Sequence, residues 1–215
     1  LKMQASVLGY FVHEKVERFE ARPDKAVATP AFFGSFKVLK NHDLSVRAFY
    51  KRMFRMPTFN DLYYTDMGNA FLKPEYAEQF NVGLKYTRNF EKSPFMRMLD
   101  VSVDAYYNKI TDKIIAYPKG QQFRWTMLNL GEVEIKGVDA VLNALFTLGK
   151  LEVTTKFQYT YQKAIDITDP ADTYYRDQIP YIPWHSGSAI LALFYKGWGL
   201  NYSFIYTCLL YTSPS

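Results

Sequence analysis

From Leu99 to Tyr107 apolar and polar side chains alternate: Leu99, Val101, Val103, Ala105 and Tyr107 stand against Asp100, Ser102, Asp104 and Tyr106. A strand sends successive side chains to opposite faces, so a period of two predicts a β-strand with one apolar and one mainly polar side. The pattern returns at Leu151, Val153, Thr155, Phe157, Tyr159 and Tyr161. Weaker copies run through Leu44 to Tyr50, Val82 to Tyr86, Ala189 to Tyr195 and Leu200 to Tyr206. With segments near 3–13, 31–39 and 131–147, the chain predicts nine strands.

The connections between them alternate in length. Short ones fall at Lys40 to Asp43, Arg88 to Arg97, Leu148 to Lys150 and Lys196 to Gly199. Long ones fall at Glu14 to Pro30, Met53 to Pro74, Lys109 to Leu128 and Lys163 to Pro180. Tight turns at one end and extended loops at the other are what an up-and-down outer-membrane barrel shows. Strand segments of ten residues or more fit a tilted membrane crossing better than a soluble sheet.

Composition agrees with this reading. The 215 residues are 48% hydrophobic and 18% aromatic, yet the mean hydropathy is -0.21, so apolar residues are interleaved with polar ones rather than blocked. No apolar run reaches the ~18 residues a spanning helix needs, whereas a barrel strand needs only about 9 to 11. The 18 Tyr, 17 Phe and 3 Trp are more rings than one soluble core requires, and barrels place such rings in interfacial girdles. The net charge of +5 is dispersed along the chain, which weighs against a nucleic-acid partner. The lone Cys208 allows no internal disulfide.

Arg55, Pro57, Phe59, Leu62, Tyr63, Gly68, Asn69, Leu72, Pro74 and Glu75 form an Arg-x-Pro-x-Phe-x-x-Leu-Tyr loop, then Gly-Asn, then Leu-x-Pro-Glu leading into a strand. Leu128 to Gly131, Ile135 to Asp139 (with Gly137) and Ile179 to Pro183 follow in order. Together these resemble the barrel of TonB-dependent outer-membrane receptors, especially those of Bacteroidetes-like bacteria. The resemblance implies an all-β, antiparallel transmembrane barrel of about 22 strands, of which residues 1–207 would supply nine. It also implies a plug and TonB box lying upstream, with the export signal. The function implied is TonB-energised uptake of a scarce nutrient: siderophore-bound iron, haem, cobalamin or an oligosaccharide. Implied partners are outer-membrane lipid and lipopolysaccharide, the TonB complex, a surface lipoprotein and the small-molecule or glycan ligand. The rival readings are a passive porin or adhesin barrel and an outer-membrane hydrolase. Residues 208–215 (CLLYTSPS) depart from the family pattern and read as a non-native tail.

The motif residues are expected to fix loop geometry rather than read a ligand, because receptors for different ligands share them. Ligand contact is expected from loop aromatics and one arginine: Tyr63, Tyr64, Tyr117, Phe123, Arg124, Trp125, Tyr174 and Tyr175. Such rings either stack on a ligand or sit in the outer girdle. Lys113, Lys119 and Arg176 are further basic loop residues that would attract an anion or remain solvated. His13, His42 and His185 lie on separate segments without metal-ligand spacing, and no nucleophile elbow or phosphate loop occurs. The expectation is therefore no metal, no cofactor and no catalytic residue.

Overall fold

The computed structural model describes residues 1–13, 15, 24–38, 43–119, 124–173, 175–180 and 182–209. Among these residues nine strands form one sheet in sequence order. They are β1 (Lys2–Val12), β2 (Lys25–Lys37), β3 (Asp43–Arg55), β4 (Glu75–Asn89), β5 (Met96–Lys119), β6 (Arg124–Leu148), β7 (Leu151–Asp166), β8 (His185–Tyr195) and β9 (Trp198–Thr207), with one short helix, α1 (Phe59–Tyr63). Every neighbouring pair is antiparallel. The sheet is an open meander ending on β1 and β9, so each predicted strand is present and none crosses over.

One sequence expectation is corrected. Lys109 to Leu128 is not a loop: β5 runs 24 residues and β6 runs 25, leaving only 120–123 between them. At about 3.3 Å per residue the hairpin is roughly 80 Å long, far more than a bilayer needs. Likewise β2 starts at Lys25, inside the expected Glu14 to Pro30 loop.

Register explains how the expectation failed. On β5 the odd residues up to Tyr107 share a face, and beyond it that face carries Lys109, Thr111 and Lys113. The opposite face changes the other way, from Asp100, Ser102 and Asp104 to the buried Ile110 and Ile114. Neighbouring strands change in the same rows. Tyr50, Phe80, Tyr107 and Lys136 lie opposite one another, and so do Arg52, Glu78, Lys109 and Glu134 in the next row. Across the strands, Met53, Ala77, Ile110 and Val133 make the matching apolar row on the other side.

The faces thus exchange polarity along one line. Below it, Val82, Leu84, Val103, Val138 and Leu142 are exposed on an unpartnered apolar face. A bare apolar wall of this extent requires an apolar solvent. The line itself is a row of rings: Phe32 to Tyr50 (6.4 Å between centroids), Tyr50 to Phe80 (4.9 Å) and Phe80 to Tyr107 (6.3 Å). Lys136 continues it, 5.4 Å from the Tyr107 centroid. Amphipathic rings with charges immediately beyond mark the hydrocarbon boundary of a barrel wall.

Candidate functional site

Beyond the ring row, two connections fold onto the inner face of β5, β6 and β7. The first, 56–74, begins with α1, which is too short to be stable alone and is held by its cap. Thr58 Oγ1 accepts from the Asp61 amide (3.2 Å) while Asp61 accepts from the Thr58 amide (2.9 Å), a reciprocal capping box. Arg55 donates to Asp61 (3.2 Å) and lies 3.5 Å from Glu75, tying the two ends of the connection together. The Gly68 amide donates to Tyr64 O (2.7 Å). A Cβ there would stand 2.6 Å from Tyr64 N and 2.8 Å from Leu62 O, so only glycine fits.

The connection is then clipped to the hairpin. Asn129 accepts from the Lys73 amide (2.7 Å) and donates to the carbonyls of Lys73 (3.0 Å) and Asp112 (2.8 Å). Asn69 donates to Met127 O (3.0 Å), the Met127 amide donates to Met67 O (2.8 Å), and Glu75 accepts from the Ile114 amide (3.1 Å). Leu62, Leu72 and Ile114 form a buried cluster with Tyr63 and Met127 against it, and Pro57 is also buried. These bonds give Asn69, Glu75 and Asn129 internal partners rather than leaving them aimed at open space.

The second connection, 167–184, runs back along the end of β7. The Ile179 amide donates to Ala164 O (2.8 Å) and the Gln162 amide to Trp184 O (2.9 Å). Buried Gln178 accepts from the Ala164 amide (3.0 Å) and donates to Ile182 O (3.1 Å). Thr168 sits where a Gly131 side chain would stand, 2.4 Å from the place of its Cβ, and accepts from the Glu132 amide (2.9 Å). Ile179 joins Ala77, Ile110, Val133, Ile135 and Ala164 in the larger buried cluster.

Nearer the short-turn end the inner face is polar. Arg47 grips Asp104 with two hydrogen bonds directly over Gly83, where any Cβ would collide with the carboxylate. Asp100 accepts from Thr87 (2.7 Å) and Asn143 (3.2 Å) and pairs with Lys85 (3.2 Å). Asp139 accepts from Thr160 (2.7 Å). The Tyr106 ring lies over Gly137, its tip 2.3 Å from where a Cβ would be.

The expected ligand-contacting residues that are described lie on different surfaces. Tyr63 is half-buried against the Leu62 cluster, and Tyr64 is exposed. Trp125 and Met127 share the inner side of β6, whereas alternation puts Arg124 and, across the pair, Tyr117 on the outer side. Tyr175 is half-buried in a turn, its amide donating to Asp172 O (3.1 Å). Phe123 and Tyr174 lie outside the described residues, as do His42 and the side chain of Lys119. Among the described residues there is no cluster of three or more metal-ligating side chains.

Comparison with known proteins adds three findings. Residues 11–213 match the family model for TonB dependent receptor-like, beta-barrel. The vitamin B12 transporter BtuB of Vibrio vulnificus is 34% identical over 99 residues, 46% of this chain and 14% of the transporter. The vitamin B12 transporter BtuB of Photobacterium profundum is 34% identical over 113 residues, 49% of this chain and 16% of its own length. The similarity therefore spans a small part of either relative.

Proposed function

The chain belongs to the TonB-dependent receptor β-barrel family, and from that premise we propose that it forms part of the wall of an outer-membrane receptor for TonB-energised nutrient uptake. The family consists of transport receptors rather than enzymes, and its barrels lie in the outer membrane. The observation that carries the reading is the line at which both faces of the sheet exchange polarity. It supports a lipid-facing band on one side and, beyond the rings, a mouth whose inner wall is lined by the inward-folded connections.

In this reading the buried motif residues are scaffolding, and contact with the nutrient falls to side chains that project from the loop or line the inner wall beside it. Tyr64 and Trp125 are the first to test, because Tyr64 is exposed and Trp125 lies on the inner side. Tyr63 and Tyr175 contribute through positioning, and Tyr117 and Arg124 through the outer side of the hairpin. The names of the two relatives make cobalamin the first substrate to try among siderophore, haem and oligosaccharide.

The experiment uses the full-length gene in a host lacking its own cobalamin receptor. Uptake of labelled cyanocobalamin is followed with and without an uncoupler of the inner-membrane proton gradient. Uptake that stops with the uncoupler is expected. Uptake that persists unchanged would overturn energised transport in favour of a passive porin, and uptake only of another labelled nutrient would replace cobalamin.

A further inference from the structure

The upper part of the β5–β6 hairpin stands without strand neighbours among the described residues. β4 pairs with β5 only up to Tyr76 opposite Thr111, and β7 with β6 only up to Asp166 opposite Val133. In the next row the hairpin's own ladder lapses: Thr111 pairs with Glu132 and Lys113 with Leu130, but Asp112 and Gly131 between them do not pair. Asp112 is in the left-handed region at φ 54°, which interrupts an extended strand, and Gly131 opposite it adds no side chain to stiffen the row. A two-stranded ribbon past such a break has little stability of its own, and its direction is not set by the sheet.

Two groups of bonds set that direction instead, and they come from different connections. On the side of 56–74, the Met127 amide donates to Met67 O (2.8 Å) and the Ile114 amide to Glu75 (3.1 Å), the first residue of β4. The Asn129 side chain donates to both Asp112 O (2.8 Å) and Lys73 O (3.0 Å), tying the break to the connection.

From 167–184, the Ile167 amide donates to Glu132 O (2.9 Å). The Thr168 hydroxyl accepts from the Glu132 amide (2.9 Å) and donates to Asp166 (2.5 Å), while its methyl fills the notch over Gly131. The first group grips the ribbon above the break, and the second grips β6 at the break and just below it. Asn129 and Gly131 are successive positions on the inner side of β6, roughly 7 Å apart at the rise of a strand.

We infer that the hairpin above Asp112 and Gly131 is an arm whose angle to the wall is set jointly by the two connections, with Asn129 and Thr168 as its positioning residues. A ribbon gripped on one side of a break can rock about it, and one gripped on both sides cannot. Releasing either grip therefore lets the arm swing and pulls on the other, so the two connections loosen together although the bonds named join each of them to the hairpin. Tyr64 rides on the connection fastened to the arm, and Trp125 is on the arm itself. That the arm's angle thereby positions the first nutrient contacts rests on the transport reading; the coupling of the connections does not.

Hydrogen exchange of the full-length receptor in lipid vesicles, without nutrient, tests the coupling. Thr168→Ala should speed exchange in 56–74, and Asn129→Ala should speed it in 167–184. Each cross effect is expected to be about tenfold, the change in open population that goes with roughly one lost hydrogen bond. Exchange in 97–105, within the membrane band, should stay as in the wild type. Acceleration confined to the connection that carries or directly bonds the substituted residue would overturn the joint grip. Equal acceleration in 97–105 would overturn it too, since the wall as a whole would then have loosened. Either variant decides the question should the other fail to fold, and an unidentified nutrient leaves the readout untouched.

Discussion

Gly137 and Gly34 are both glycines in strands of the same wall, yet their surroundings differ completely. A Cβ at Gly137 would meet the Tyr106 ring at 2.3 Å and the Tyr161 carbonyl at 2.6 Å, and the carbonyl cannot rotate away. Gly137→Ala in the full-length protein is therefore expected to destabilise by about 1 to 3 kcal/mol, as overpacking does. Gly34→Ala meets nothing within 4 Å and should change stability by less than about 0.5 kcal/mol. Urea unfolding of both variants in lipid vesicles checks the pair, and equal losses would contradict the packing of Tyr106 over Gly137. The sequence marked Gly137 as a motif position, but nothing in it revealed that Tyr106, its partner across the β5–β6 ladder, fills its place. The three hydrogen bonds of Asn129 were hidden for the same reason. They join residues 56 and 17 positions apart, a separation that local periodicity does not register.

At the scale of the strand, alternation was legible wherever lipid enforces it and illegible beyond. Lipid demands an apolar side chain at every second position, so Leu99 to Tyr107 reads as strand without help. Past Tyr107 the outer face meets water or head groups and the inner face meets the folded connections. Lys109, Thr111 and Lys113 then replace apolar residues on one side, and Ile110 and Ile114 replace polar ones on the other. Read as one segment, a strand whose phase reverses resembles a loss of pattern, which is why β5 and β6 looked like a loop. The reversal makes a graded prediction along β5. Val103→Arg, in the lipid band, should cost about 2 to 4 kcal/mol of folding into vesicles. Ser102→Arg, on the inner face, should cost much less. Thr111→Arg, on the same outward face as Val103 but past the ring row, should stay within about 0.5 kcal/mol. A cost at Thr111 equal to that at Val103 would move the membrane boundary and remove the basis of the ring-row assignment.

For the molecule as a whole, the sheet has little interior of its own. Among the described residues most buried apolar side chains gather in two clusters beyond the ring row, while the middle of the wall is bare on the outside and ion-paired on the inside. Such a sheet is stable only with hydrocarbon against one face and with its edge strands β1 and β9 paired, since unpaired backbone groups are costly in lipid. The orientation then follows from where the clipped connections lie. The 56–74 and 167–184 connections share one end with the tip of the β5–β6 hairpin, and the tight turn at Gly149 and Lys150 lies at the other. Barrels keep their short turns on the periplasmic side, so the clipped end faces outward. To test this, single cysteines are placed at Asp66 and at Lys150 in a full-length Cys208→Ser background, both positions being exposed turns. Intact cells are treated with a membrane-impermeant maleimide. Asp66→Cys should label at once, and Lys150→Cys only after the outer membrane is permeabilised. Labelling of Lys150→Cys alone would invert the wall. Equal labelling of both would mean that the bare face meets something other than a bilayer.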